Sequence, residues 1–384
     1  MTLEEKVFLE YKTSYGLFGH YLTWCGKQEI QIFSKMIMVQ IGYQKFDRNK
    51  MKLLFSLFII LISNPLLSLE NEISEELFLI KSEGKYGYID KFGKIVIKPV
   101  YTVLPNRFSE GLAAVLKDTQ VGYIDKMGKF VIKPQFRQAS DFSEGLAAVQ
   151  IGDKWGYINQ TGKMMIEPSF IAVCSFSEGL ACVKLCNEDY SRCSFGYVDR
   201  EGKVIIKPFT SSPSNFAEGL AGVGIQEKFG YIDQQGNIVI PPQFDLVDQF
   251  SEGLARVKID NQYGYIDKKG QFTIKPRYSD AGSFSNGFAY AKLNNKYGFI
   301  NQQGKFVISP QYDLILYDVR FSEGLACVGV GEENQELFGY IDKNGKMVIS
   351  PSFHWCKNFS GNIAQVNEMG KIVYINKKGD YLWR

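Results

Sequence analysis

From about Ile73 onward, apolar and polar positions recur in a fixed block. One copy reads Val121-Gly122-Tyr123-Ile124-Asp125, then Lys126-Met127-Gly128, then Lys129-Phe130-Val131-Ile132-Lys133-Pro134. Two β-rich runs around a short Gly-bearing turn are the pattern of a hairpin. The Gly of the first run returns at Gly156, Gly196, Gly230, Gly264, Gly298 and Gly339, mostly 34 residues apart. Between hairpins lies a second recurring stretch. FSEGLAAV spans Phe108–Val115 and is repeated letter for letter at Phe142–Val149, with close copies beginning at Phe176, Phe216, Phe250, Phe284, Phe321 and Phe359. Its Gly suits the positive φ that ends a tight turn, after which Leu-Ala-Ala-Val runs on as a strand.

Each unit is therefore predicted to be a three-stranded meander: strand A (LAAV), strand B (GYID) and strand C (KFVIK). Pro closes strand C, and a connector leads to the next Phe. Both faces of strand B are apolar or Gly, and strand C is apolar throughout, so each meander needs a neighbour on either side. Ile73–Ile80 aligns with FSEGLAAV and supplies the first strand A, while Phe359–Val366 supplies the last. Nine complete units follow in order. The fold class is all-β, a tandem array of about nine three-stranded repeats of about 34 residues. No blade is split between the chain ends, and nine exceeds the usual four to eight blades of a propeller. An open, twisted, solenoid-like array is the expectation, and a closed propeller-like ring the alternative.

This pattern resembles the WG-repeat (KWG repeat) family, named for the aromatic-Gly pair that opens strand B. Lys154-Trp155-Gly156-Tyr157-Ile158 matches it outright, with Tyr86, Val121, Phe195, Phe229, Tyr263, Tyr297 and Phe338 replacing the Trp elsewhere. The resemblance implies a bacterial, often surface-associated repeat protein with no established activity, and it carries over no functional residues. A weaker likeness to cell-wall-binding hairpin repeats hints at a glycan ligand.

Upstream, Met51–Leu69 has the form of a secretory signal peptide. Arg48, Lys50 and Lys52 precede the apolar run Leu53–Ile62, which Ser63, Asn64 and Pro65 end. Cleavage is expected after Ser68, a signal anchor being the alternative, and either places the repeats outside the cytoplasm. Residues 1–50 show no repeat and are read as an over-extended N-terminus, or else a short cytoplasmic tail. The expected divisions are thus 1–50, 51–69 and the repeat array 70–384.

Composition narrows the chemistry. Net charge is only +3, and Lys recurs singly at turns, unlike the basic face of a nucleic-acid binder. There are two histidines, His20 and His354, so a triad or zinc site would have to form around His354 or do without His. The Glu column (Glu110, Glu144, Glu178, Glu218, Glu252, Glu323) reads as exposed turn residues, the alternative being a ladder for cations or sugar hydroxyls. The Asp/Asn column (Asp90, Asp125, Asn159, Asp199, Asp233, Asp267, Asn301, Asp342, Asn376) reads as turn caps bonding nearby backbone amides. The aromatic column reads as core. Gly329-Val330-Gly331 lacks the rest of a dinucleotide fingerprint.

The expectation is an exported, non-catalytic binding or scaffold protein that engages protein or envelope glycan, with no catalytic, cofactor or metal residues. The alternative is an enzyme with a site in the longer insertions, and His354-Trp355-Cys356 is the unique cluster there is to weigh. Finally, Val149 and Gly156 flank a tight A–B turn. The same register carried inward from Val183 and Gly196 sets Cys186 opposite Cys193, close enough for a disulfide. Cys174, Cys182, Cys327 and Cys356 are left unassigned, Cys182 and Cys327 reading as small core residues.

Overall fold

The computed structural model describes residues 76–187, 192–316, 319–332 and 335–384. The expected divisions 1–50 and 51–69 lie outside the described residues. Among those described, every regular element is a β-strand, and the strands form nine small antiparallel sheets in chain order. The first consists of strand A (Phe78–Ser82), B (Lys85–Ile89) and C (Ile95–Tyr101). The last is Ile363–Glu368, Lys371–Asn376 and Tyr381–Trp383, with a short extra strand at Trp355–Cys356.

The A–B register is the same throughout: Ile80 faces Gly87, Val149 faces Gly156 and Val183 faces Gly196. The repeat pattern predicts three strands per unit, with a connector after strand C. In six sheets the connector instead adds a two-residue strand beside strand A, as where Gln138 and Ala139 pair with Gln150 and Val149.

Strand C departs from expectation. Pro134 does not close it; the strand runs Phe130–Phe136 with the Pro inside. Between the pairs Tyr123↔Ile132 and Val121↔Phe136 it bulges. The bulge pushes its backbone against strand B, and this explains the Gly of the aromatic-Gly pair. A Cβ on Gly122 would lie 2.6 Å from the Ile132 carbonyl oxygen and 2.7 Å from Pro134 N. Nor is strand C buried on both faces: Ile132 and Phe136 are buried, while Val131 and Lys133 are exposed. It is the outer edge of the sheet, and a Pro and a bulge there block pairing with other chains.

The sheets are blades of a closed ring, the alternative arrangement rather than the open array. Each blade packs on the next through one set of contacts. The strand B Tyr, replaced by Phe299 in blade seven, meets the following Phe at a ring-centroid distance near 4.9 Å, as for Tyr123–Phe142 and Tyr231–Phe250. Its hydroxyl donates to a carbonyl 17 residues on, as from Tyr123 to Ser140 and from Tyr231 to Asp248. Blade nine meets blade one through the same strand B Tyr, with strand A of blade one as its partner. The Tyr374 hydroxyl donates to the Leu79 carbonyl at 2.6 Å, Phe78 packs against Tyr374, and Ser360 donates to Glu76. Ile80, Ile89, Ile363 and Tyr374 form one buried cluster across that seam. A split blade is unnecessary because the two ends present complementary faces. The angle between packed blades, which the letters of the repeat do not spell out, decides between ring and array.

Candidate functional site

The FSEGL segment is built as a two-residue hairpin. In Ser109-Glu110-Gly111-Leu112, Ser and Leu exchange backbone hydrogen bonds, and Glu110 and Gly111 both have positive φ, at 50° and 85°. Such turns favour Asn-Gly. Glu in the left-handed region is costly, so its recurrence there requires a compensating contact.

That contact is the next blade. Glu144 accepts from the backbone amides of Glu178 and Gly179 at 2.6 and 3.0 Å, and Arg200 approaches it at 3.9 Å. Glu110 accepts from Gly145 and Gln160, and Glu178 from Gly219 and Gln234. Glu252 takes Gly287 and Gln302, and Glu323 takes the Asn362 amide and Lys377. At Glu218, burial alone would raise the carboxyl pKa. The Lys268 ammonium at 3.0 Å and the Gly253 amide outweigh that and hold it below the ordinary value. The Ser that precedes the Glu in every copy but that of Ala217 adds a second bond, its hydroxyl donating to the following Phe carbonyl, as from Ser143 to Phe176 and from Ser251 to Phe284. Where Asn286 replaces Glu, its amide reaches Phe321 O instead. The Glu column is therefore an inter-blade bracket as well as a turn, which sequence reasoning missed because each partner sits one repeat away.

The Asp/Asn column caps the B–C turns. Asp125 accepts from the amides of Met127 and Lys129, each at 2.9 Å, and Asn159 holds Thr161 and Lys163 in the same way. The tyrosines that follow the strand B Gly are buried, and burial raises the pKa of Tyr123, Tyr157, Tyr197 and Tyr231. The aromatic before each Gly pairs across to strand A, where Lys81, Lys184, Lys258 and Lys292 lie over Tyr86, Phe195, Tyr263 and Tyr297.

The unique cluster does not converge. His354 Nδ1 accepts the Met369 amide at 3.3 Å, Trp355 lies under the Lys357 ammonium, and Cys356 meets Cys327 of the preceding blade. Near the fourth blade's insertion is a shallow cleft of about 220 Å³ lined by Lys154, Ser169, Lys184 and Cys186 among others. Among the described residues, no group of His, Cys, Asp and Glu is arranged to hold a metal ion.

Six cysteines fall into three pairs. Cys186 lies opposite Cys193 with Cα atoms 4.1 Å apart, in the register that also pairs Val183 with Gly196. Cys174 meets Cys182 within one blade, whereas Cys327 meets Cys356 across two. Cys182 and Cys327 occupy equivalent strand A sites, both fully buried, yet their partners come from different connectors. A second irregularity is Arg256, buried where five other copies have Ala, Cys or Gly. It pairs with Asp248 at 2.7 Å, donates to the Ala281 carbonyl and stacks on Tyr263.

The sequence family described as "WG containing repeat" matches eight segments: 86–118, 122–155, 155–188, 195–228, 229–263, 263–297, 297–332 and 338–371. No curated protein matches the chain. Among solved structures, the chain is similar to that of a eukaryotic initiation factor (TM-score 0.54, 13% identity, 80% of this chain and 94% of that one). It is less similar to apo AztD from Citrobacter koseri (TM-score 0.43, 12% identity, 77% and 95%). At such identity the likeness concerns the fold alone.

Proposed function

Because the chain belongs to the WG containing repeat family, we propose that it is an exported, non-catalytic scaffold whose repeated ring faces engage protein or envelope glycan. The coarser part is plain from the fold: a repeat β-propeller is consistent with a non-catalytic binding or scaffold role. One observation supports the finer reading most. Each recurring polar column is engaged in holding the ring together, by brackets between blades or caps within turns. What remains at the surface is a set of equivalent exposed tips. Equivalent tips suit a ligand that is itself extended or repetitive, since each further contact becomes intramolecular.

Export is supported by the signal-like segment Met51–Leu69 and by three cysteine pairs, which suit an oxidising compartment. The test is a pull-down from envelope fractions beside a glycan array. Saturable, salt-resistant capture of one ligand class without product formation is expected. Turnover of a substrate that His354→Ala abolishes would overturn the reading in favour of an enzyme.

A further inference from the structure

The residue at the outermost tip of the B–C turn is polar and exposed in seven blades: Thr161, Glu201, Gln235, Lys269, Gln303, Asn344 and Lys378. In blades one and two it is Phe92 and Met127, each 70% exposed. The two tips are neighbours. A Cβ at Gly128, beside Met127, would lie 3.3 Å from the Ile97 side chain of blade one, so the second turn rests against the first blade. Each apolar tip is bracketed by lysines, in Lys91-Phe92-Gly93-Lys94 and Lys126-Met127-Gly128-Lys129, and Ile95 adds exposed apolar surface beside the first. No turn geometry requires these residues, since seven other turns of the same shape use polar ones.

We propose that these two tips form a membrane-contacting edge, with Phe92 and Met127 entering the headgroup–acyl boundary of an anionic bilayer. Apolar side chains between cations are the chemistry of interfacial insertion: the rings and thioether leave water while the ammonium groups stay among anionic headgroups. Lys91, Lys94 and Lys129 are exposed and supply that charge. The path of the chain favours a bilayer over a protein partner. Strand A of blade one begins at the ring face that carries the B–C turns, because strand B returns to that face before its turn. The apolar run Leu53–Ile62 ends fourteen residues before Glu76, a reach of roughly 45–50 Å when extended. In a chain that keeps that run, blade one is the blade joined to it by the fewest residues. Val100, Val103 and Leu104 are exposed too, but they follow strand C toward the opposite face.

The test uses the full chain with Phe92→Trp, compared with Gln235→Trp at the equivalent tip of blade five. Each is mixed with vesicles of mixed anionic and zwitterionic phospholipid, with and without brominated acyl chains. Emission from Phe92→Trp is expected to move to shorter wavelength and to be quenched by the brominated lipid. Gln235→Trp should show neither change. Lys91→Glu with Lys94→Glu should reduce the Phe92→Trp quenching several-fold. Equal behaviour of the two reporters, or quenching indifferent to anionic lipid, would overturn the proposal. So would a shift produced by lipid-free envelope protein with the vesicles silent.

Discussion

Replacing Gly264 by Ala tests whether the aromatic-Gly pair exists for a backbone approach rather than for a face of the sheet. The added Cβ would lie 2.6 Å from Ile274 O, 2.7 Å from Pro276 N and 3.0 Å from Lys275 C. All three atoms are backbone of the strand C bulge, so no side chain can rotate away. Relief means pushing strand C off strand B and weakening the pairing of Tyr263 with Tyr278 and of Tyr265 with Ile274. Overpacking that side chains can partly absorb costs about 1–3 kcal/mol, and each lost ladder bond adds about 1 kcal/mol. The expected loss is about 3–5 kcal/mol. Gly253, in the same blade, provides the control. A Cβ there meets nothing within 4 Å, although φ is +80°. Gly253→Ala should therefore cost only the left-handed penalty, about 1–2 kcal/mol. Urea unfolding of both variants, followed by circular dichroism and fluorescence, gives the two values. If Gly264→Ala costs no more than Gly253→Ala, the close-approach account of the Gly is wrong.

Three further outcomes follow from the packing. Burial pushes the phenol pKa of Tyr123, Tyr157, Tyr197, Tyr231 and Tyr340 above its ordinary value near 10, so the folded chain holds these protons more tightly than the unfolded one. Their stabilisation is complete below about pH 10 and lost as pH rises above it, so tyrosinate absorbance should appear late and together with unfolding; early, gradual titration of these residues would contradict it. Glu218→Ala removes the acceptor of the Gly253 amide and the partner of Lys268, and should cost about 1–2 kcal/mol in thermal or urea unfolding, partly screened by salt; no loss would mean that the bracket is ornamental. Non-reducing peptide mapping of the protein should find Cys186 joined to Cys193, and alkylatable thiols at both positions would refute the bond.

Much of this fold was legible because its information is local. The 34-residue period, the Gly-bearing turns and the A–B register are set within one repeat, so Val183 opposite Gly196 follows from Val149 opposite Gly156. The Asp/Asn caps are equally local, reaching amides two and four residues on. What escaped the sequence lies between repeats or in irregular backbone. Pro134 reads as a terminator, yet an edge strand accommodates it within a bulge. The Glu144 carboxylate reads as a solvated turn because its partners, Glu178 and Gly179, belong to another blade. Arg256 replaces a small residue, and only the structure shows Asp248 and Tyr263 waiting for it. Ring closure is the extreme case. It depends on a small rotation per blade, which no single repeat encodes in its pattern of apolar positions.

Closure is also the claim most open to direct measurement. Glu83 and Met369 occupy the exposed A–B hairpin tips of blades one and nine, and Asp260 and Asn294 the equivalent tips of blades six and seven. Encoded spin labels at each pair, read by pulsed electron resonance, give two distances. A closed ring predicts that the first pair lies as close as the second, because blades one and nine are neighbours. A distance for Glu83 and Met369 that spans many blades would contradict the ring and restore the open array.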